Sequence, residues 1–249
     1  VYAKYLDNID PTKRFFIQSD IDEFQKYETS IDDMIKNKDL TFFNLTNERL
    51  LKRMKEARDI YEDVLSKPFD FNQKETINVD YEKMPFSKNK SDLKDRWRKQ
   101  IKLSTLSSLT DRLKIQETKA KGTEETSEVK SDSLEMDLLD KAKSDKGVEN
   151  SAPKTFEELE KETRVSAEKS LDEYFGFMND LDKNDWFSVY INSITSRFDP
   201  HTNYFAPEEK ERFDVSISGK LEGIGARLQK KNDYTEISEL ISGGPAWRG

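Results

Sequence analysis

Three of the nine glycines lie close together in the stretch GKLEGIGARL, residues 219–228, a spacing that suggests nucleotide chemistry. A phosphate-binding loop of the Walker type requires Gly-x-x-x-x-Gly-Lys-Ser/Thr, but here Lys220 follows the first glycine and Leu221 follows the lysine. A dinucleotide fingerprint requires a further glycine where Leu228 stands, followed by a helix, whereas this sequence continues as a strand. The spacing therefore excludes both kinds of nucleotide site.

A glycine-rich loop can still bind an anion through its backbone. Glycines let consecutive N–H groups turn inward around a negative charge, and a strand that follows the loop can pair with an extended peptide. The loop would then hold the carboxylate of that peptide. A tight turn or a bulge at the start of a strand explains the glycines equally well, so the residues alone leave the two interpretations balanced.

Two further stretches contain residues with potential chemistry. His201 is the only histidine, but no nucleophile in a recognisable strand-turn-helix elbow accompanies it, so we expect it to have a structural role in a turn. The run that begins at Asp180 resembles the start of a calcium loop. Asp185, however, occupies the position of the required glycine, and Ile191 that of the bidentate glutamate. No metal site and no cofactor are predicted.

The composition narrows the class of protein. With 34% hydrophobic residues, a chain of 249 residues can bury a core, and 37% charged residues are typical of long solvated helices. The net charge of -8 argues against a nucleic-acid partner, since neutralising phosphates needs clustered Lys and Arg. No apolar run approaches the ~20 residues that span a bilayer. The absence of cysteine excludes disulfides and thiolate zinc sites, and the start at Val1 fits a trimmed export signal or an engineered start.

The elements that must position these residues are mainly helical up to residue 199. Apolar residues recur at helical spacing before Pro68, which predicts two helices, with Ser19 as the N-cap of the first. A third helix is predicted from Ser91. Helical periodicity resumes at Thr155 and starts again near Trp186. The residues predicted to be buried in the third helix are Leu93, Trp97, Ile101, Leu106, Leu109 and Leu113.

Two segments interrupt the helices. Residues 69–90 lack a clear period, and a short strand is predicted at residues 76–81. Residues 117–153 contain no aromatic residue and consist mostly of Lys, Glu, Asp, Ser and Thr. Such a segment buries too little apolar surface to offset its ordering entropy, so we predict a disordered insertion with at most one short helix, near residues 134–142.

Beyond Asp199 the pattern changes to alternation. A short helix is predicted from Pro207, because proline is favoured in the first turn. The predicted strands cover residues 215–218, 224–228 and 234–241, with a turn at residues 232–233. The glycine stretch is therefore predicted to lead into the first strand of a hairpin.

Several motifs resemble those of the tail-specific, or carboxy-terminal processing, proteases. The matching motifs are FDPHTNYF at residues 198–205, PEEKERF at 207–213, SGKLEGIGARL at 218–228 and SGGPAW at 242–247. The amino-terminal helical domain of the long-form members is matched by YLDNIDPTKRFF at residues 5–16 and SDIDEF at residues 19–24. The charged insertion and the region of Trp186 are most similar to Bacteroidetes-type members.

This resemblance implies an exported, periplasmic serine endopeptidase that recognises substrate carboxyl termini through a PDZ domain and cleaves with a Ser-Lys pair. The family's catalytic serine and lysine have no counterpart in this sequence, so no residue here receives a catalytic role, and the chain alone should be inactive. The carboxylate-binding loop implied by the resemblance consists of Leu221, Glu222, Gly223, Ile224 and Gly225, and the strand that would pair with the peptide contains Ala226, Arg227 and Leu228.

The predicted organisation is mainly α, with a small β-rich part (α+β). We expect a helical amino-terminal domain at residues 1–213 and the first strands of a truncated PDZ domain at residues 214–249. The expected partners are proteins or peptides with apolar carboxyl termini. The sequence does not decide whether an adaptor protein also binds the helical domain. The alternative is a non-enzymatic helical scaffold or a PDZ-like peptide-binding module.

Overall fold

A computed structural model describes residues 1–121, 153–218, 223–231 and 234–248. The chain divides into two compact units, Val1–Thr202 and Asn203–Gly249. The first unit is helical, and the second combines short helices with a two-stranded antiparallel sheet. The mainly α fold class is thereby confirmed, while the predicted domain limits near residue 213 stay a prediction. In the part of the chain described here, no helix is long and apolar enough to cross a bilayer.

The first unit is built on long helices that pack against one another. The helices among its described residues are α1 (Tyr2–Ile9), α2 (Gln18–Phe24), α3 (Ile31–Asn37), α4 (Thr41–Leu65), α5 (Lys90–Lys121), α6 (Phe156–Asp180) and α7 (Lys183–Thr195), with a 3-10 turn at Gln25–Tyr27. Helix α6 lies against α4 and α5, and α7 lies against α1 and α4. The amino-terminal and carboxy-terminal parts of this unit therefore share one core.

Two of the helix starts follow from local sequence. Thr155 and Glu158 form a capping box at α6, in which the Glu158 amide donates to the Thr155 hydroxyl and the Glu158 carboxylate accepts the Thr155 amide at 2.8 Å. Asp182 caps α7 in the same way: its carboxylate accepts the amide of Asp185, and the carboxylate of Asp185 accepts the amide of Asp182 at 2.7 Å. Both helices begin close to the starts that the spacing of apolar residues predicted.

The start of the chain differs from the prediction in two ways. Helix α2 begins at Gln18, and the carboxylate of Asp20 accepts the amide of Ile17 at 3.0 Å, so the N-cap prediction for Ser19 was wrong. The first predicted helix is also divided into α2 and α3, and α3 ends where Lys38 adopts a left-handed conformation with φ of 55°. Helix α4 ends shortly before Pro68, as predicted.

Aromatic side chains dominate the core of the first unit. The ring of Phe175 on α6 lies 5.2 Å from that of Tyr61 on α4, 6.1 Å from Trp97 on α5 and 6.2 Å from Phe15. Edge-to-face and offset contacts of this kind add to the free energy gained by burying the rings. The predicted burial of Leu93, Trp97, Ile101 and Leu109 is confirmed, whereas Leu106 is exposed and Leu113 is half-buried.

A buried carboxylate organises the DPTKRFF stretch between α1 and α2. Asp10 accepts the amides of Arg14, Phe15 and Phe16 at 2.8 to 3.1 Å. The indole N–H of Trp97 donates to the Arg14 carbonyl at 2.7 Å, which fixes this stretch against α5. The motif therefore has a structural function in this unit.

The structure agrees only in part with the predictions for the two segments that interrupt the helices, residues 69–90 and 117–153. Residues 69–90 are irregular as expected, but the strand predicted at residues 76–81 is wrong, because no strand is present there. An isolated parallel bridge joins Ile17 to Ser87, and the Gln18 amide donates to the Ser87 carbonyl at 2.8 Å. Residues 117–121, the start of the predicted insertion, continue α5. The rest of that segment up to residue 152, with its predicted short helix, lies outside the described residues.

The second unit contains α8 (Pro207–Ser218), β1 (Ala226–Lys231), β2 (Tyr234–Leu240) and α9 (Pro245–Arg248). The strand predicted at residues 215–218 was wrong, since these residues form the last turn of α8. The rings of Phe205 and Phe213 stack at 5.0 Å, which secures the start of α8. The predicted hairpin is confirmed as β1 and β2, but its first strand begins at Ala226 and not at residue 224, because residues 224 and 225 belong to a bend. The turn predicted at residues 232–233 lies outside the described residues.

A β-bulge interrupts the pairing of β1 with β2. Ala226 pairs with Leu240 and Leu228 with Ile237, so Ser238 is the extra residue of β2. The Ser238 hydroxyl donates to the Arg227 carbonyl at 3.3 Å. Paired residues project to the same face of an antiparallel ribbon, and alternate residues of one strand share a face. The bulge therefore places Ile237 and Leu240 on the face of Leu228, although they are three positions apart.

Candidate functional site

The candidate site is the bend at Gly223, Ile224 and Gly225, which leads directly into β1. Ala226, Arg227 and Leu228, which were predicted to pair with a peptide, are the first residues of that strand. The other two residues of the predicted loop, Leu221 and Glu222, lie outside the described residues. The structure thus brings the described part of the loop and the predicted pairing strand together.

Gly225 is in close backbone contact with the SGGP turn that precedes α9. It has a φ of +74°, in the left-handed region that favours glycine, and a Cβ at this position would lie 2.9 Å from the Cα of Gly244 and 3.0 Å from Cδ of Pro245. A Cβ on Gly244 would in turn lie 3.0 Å from the Cα of Gly225. Both glycines are therefore needed for this approach.

Hydrogen bonds hold the carbonyl groups of the bend. The amide of Ala246 donates to the carbonyl of Ile224 at 2.9 Å, and the amide of Ile241 donates to the carbonyl of Gly225 at 2.8 Å. The turn itself is closed by the Gly244 amide, which donates to the Ile241 carbonyl at 3.0 Å. Two successive carbonyls of the loop are consequently used inside the second unit.

The amides of the same bend lack such partners among the residues that the structure describes. Within the described residues, nothing accepts a hydrogen bond from the N–H groups of Gly223, Ile224 or Gly225. Gly223 itself has open space where a Cβ would be, so its own chain does not demand a glycine there. The bend can therefore donate hydrogen bonds to an anion, as a nest of backbone amides does.

The strand beside the bend has an unpaired edge. Strand β1 pairs with β2 on one side, and no other strand of the described chain lies on its opposite side. Leu228 and Ile237 share one face and are each more than half exposed, at 57% and 55%. The neighbouring pair of Arg227 and Glu239 has an ion pair of 2.9 Å and projects from the other face. One face of the ribbon is thus apolar beside an edge that can accept a further strand.

Outside this bend, the described residues with potential chemistry do not assemble a reactive site. The turn at His201 is formed by Asp199, whose carboxylate accepts the His201 amide at 2.9 Å and the Thr202 hydroxyl at 2.9 Å. These bonds lower the pKa of Asp199. The His201 side chain is exposed, so its predicted structural role belongs to Asp199, whose turn-forming position two residues earlier was the missed signal. Across residues 1–121, 153–218, 223–231 and 234–248, no group of three His, Asp or Glu residues could hold a metal ion.

Comparisons with known proteins agree with the motifs. Residues 1–208 match the family described as Tail specific protease N-terminal domain. The chain is 27% identical over 249 residues to the Tail-specific protease of Haemophilus influenzae. This alignment covers 100% of this chain and 29% of that protein. A stretch of 50 residues, 20% of this chain, is 40% identical to a Probable CtpA-like serine protease of Staphylococcus aureus and covers 10% of that protein. The chain therefore spans less than a third of these relatives.

Proposed function

The chain belongs to the tail-specific protease family through its N-terminal domain, and we propose that it is the non-catalytic part of an exported serine endopeptidase that binds substrates by their carboxyl termini. In this proposal the Ser-Lys pair lies in the remainder of the parent protein, and the 249 residues alone have no peptidase activity. The similarity to a tail-specific protease and to a CtpA-like serine protease supports a serine protease. Export to the periplasm and recognition through a PDZ domain are inferred from the resemblance of the motifs.

The observation that carries the proposal is the run of three amides at Gly223, Ile224 and Gly225, for which no described residue is an acceptor, immediately before an edge of β1 that no described strand covers. A carboxylate accepts hydrogen bonds from backbone amides without needing a side-chain cation, because oriented amides already favour an anion. The residues before the carboxylate would extend along β1 and pair with its free edge. Leu221 and Glu222 would complete the loop.

The side chains beside the bend indicate an apolar carboxyl terminus. Ile224 is 56% exposed, and Leu228 is exposed to a similar degree on the face that it shares with Ile237. Exposed apolar surface of this kind gains free energy when an apolar side chain covers it, at about 25 cal/mol per Å². The proposed ligand is therefore a protein or peptide whose last residue is aliphatic or aromatic.

The test uses one peptide with an apolar last residue, prepared as the free acid and as the carboxamide. It is titrated into the protein as its gene encodes it, in a form without peptidase activity. Charge-assisted hydrogen bonds are worth ~1.5–3 kcal/mol each, so the free acid should bind about tenfold or more tightly than the amide. Equal affinities would refute the carboxylate loop, and the bend would then be a turn that enters a strand.

A second measurement separates the proposal from its alternative. The same peptide, extended at its amino terminus, is incubated with the unmodified protein as encoded, and its products are identified by mass spectrometry. Cleavage that requires the free carboxylate is the expected result for a tail-specific endopeptidase. Binding with carboxylate preference but without cleavage would instead indicate a non-enzymatic peptide-binding module.

A further inference from the structure

We infer that Gly244 is a positioning residue for the carboxylate loop, although it is not one of the residues proposed to touch the peptide. The inference rests on the proposed function of the bend at residues 223–225. It concerns how the second unit holds that bend in a conformation that can bind an anion.

The two glycine backbones approach so closely that an added Cβ would make unusually tight contacts. A methyl group on Gly244 would lie 3.0 Å from the Cα of Gly225, 3.1 Å from the carbonyl oxygen of Ile241 and 3.4 Å from that of Gly225. All three atoms belong to the backbone, so no side-chain rotation can relieve the contact. A larger residue at position 244 therefore requires the backbone of the turn or of the bend to shift by a few tenths of an ångström, which changes the position of Gly225 relative to residues 241 and 246.

The hydrogen bonds beside this contact determine which way the loop amides point. A peptide unit is planar and trans, so its N–H group points opposite to its carbonyl. The carbonyl of Ile224 is held by the Ala246 amide at 2.9 Å, and the N–H of the same peptide unit belongs to Gly225. That N–H is consequently directed away from the SGGP turn.

The next peptide unit is held in the same way. The carbonyl of Gly225 accepts the Ile241 amide at 2.8 Å, so the N–H of Ala226 points away from Ile241 and β2. Two successive amides, those of Gly225 and Ala226, are thus oriented by bonds to residues 241 and 246. Displacing the bend from Gly244 would lengthen both bonds and misalign both donors.

The test measures carboxylate preference, which a loss of general stability would not change selectively. Gly244→Ala is made in the inactive form of the protein as encoded, and the free acid and amide of the same peptide are titrated. In the protein without the substitution, the dissociation constant of the amide should exceed that of the free acid about tenfold or more. In Gly244→Ala this ratio should fall to about threefold or less. Binding of the amide, which relies on strand pairing and apolar contacts, should change little.

The matched control is Gly243→Asn in the same turn. Gly243 has a φ of +81°, which asparagine tolerates better than most residues, and nothing lies within 4 Å of its added Cβ. This variant disturbs the turn without touching Gly225, so its preference for the free acid should equal that of the parent.

Three outcomes overturn the inference. They are an unchanged ratio in Gly244→Ala, an equal weakening of both peptide forms, and the same loss in Gly243→Asn. If Gly244→Ala does not fold, as judged by its thermal transition, Ala246→Pro replaces it, because proline removes the N–H that binds the Ile224 carbonyl. An unchanged ratio in that variant also overturns the inference. A parent protein that does not distinguish acid from amide would refute the proposed function itself, so the two failures are distinguishable.

Discussion

Asp20 and Arg53 form a two-pronged ion pair between α2 and α4, with Nε to Oδ2 at 2.8 Å and Nη2 to Oδ1 at 2.9 Å. Both side chains are buried, at 1% and 6% exposed. Arg49 contacts the same carboxylate, and the Ile17 amide donates to it at 3.0 Å. Burial opposes the charge of Asp20, but the bonds from Arg53, Ile17 and Arg49 outweigh that effect and lower its pKa. The charged form of Asp20 therefore stabilises the first unit.

Asp20→Asn should be strongly destabilising, because it leaves the buried guanidinium of Arg53 without its main partner. Breaking a buried pair typically costs ~3–5 kcal/mol, measured as the free energy of unfolding in urea at pH 7. The matched control is Asp32→Asn, since the ion pair of Asp32 with Lys36 is about 70% exposed and spans 3.4 Å. That substitution should cost about 0.5 kcal/mol or less. Equal effects of the two substitutions would contradict the buried pair.

The same interaction predicts how stability depends on pH. The pKa of Asp20 in the folded state lies below its value in the unfolded chain, where an aspartate titrates near pH 3.9. Its contribution is therefore fully present above that pH and is lost as the pH falls through the lower, folded pKa. The difference in unfolding free energy between the parent and Asp20→Asn should shrink as the pH is lowered from 5 towards 2. A difference that stays constant over that interval would show that the charge of Asp20 is not responsible.

Two phenylalanines on α6 offer a comparison of buried and exposed rings. Phe175 is 2% exposed and contacts the rings of Tyr61 and Trp97, whereas Phe177, two residues later, is 63% exposed. Phe175→Ala should cost ~3–5 kcal/mol, through lost transfer free energy and the cavity left behind. Phe177→Ala should cost less than about 1 kcal/mol. Thermal and urea unfolding measure both, and a larger loss for Phe177 would mean that the packing of α6 is misassigned.

Local patterns were sufficient to predict the helices whose signals lie close together in sequence. Thr155 with Glu158 at α6, and the apolar spacing that includes Trp97 in α5, need no information from distant residues. The N-cap of α2 was missed because it is Ile17, a residue type that is not favoured at this position, and its amide donates to Asp20. Asp20 is held by Arg53, and that partner lies 33 positions further along the chain. Leu106 has the spacing of a core residue but is 41% exposed.

The candidate site shows the same limit. The stretch GKLEGIGARL predicted a bend that leads into a strand, and this was confirmed for its described residues. That stretch alone could not explain why residue 225 is a glycine, because the backbone that Gly225 approaches belongs to Gly244. The bulge at Ser238 was also missed, since simple alternation along β2 would place Ile237 and Leu240 on opposite faces. Contacts between separate segments supplied what the local pattern lacked.

The turn at residues 199–202 should depend on Asp199 and be insensitive to the ring of His201. Asp199→Ala removes the acceptor for the His201 amide and for the Thr202 hydroxyl, so it should lower the free energy of unfolding by more than His201→Ala does. His201→Ala removes an exposed ring and should change the free energy of unfolding by less than about 0.5 kcal/mol. Differential scanning calorimetry on the two variants provides the comparison. A greater loss from His201→Ala would restore the structural role that the sequence suggested for the histidine.

The apolar face of the ribbon predicts a binding defect of a different kind from that of the bend. Leu228 is the paired neighbour of Ile237, and in the proposed complex its exposed side chain would be covered by the last residue of the peptide. Leu228→Ser removes most of that apolar surface, at a cost of ~1–2 kcal/mol, or about five- to thirtyfold in affinity. The bend and its amides are unchanged, so the free acid and the amide should weaken by the same factor. Gln229→Ser is the matched control, because Gln229 projects from the opposite face and its affinities should equal those of the parent. Titration of both peptide forms against both variants decides the point: if Leu228→Ser binds like the parent, or if Gln229→Ser is the weaker of the two, the peptide does not lie on the face of Leu228.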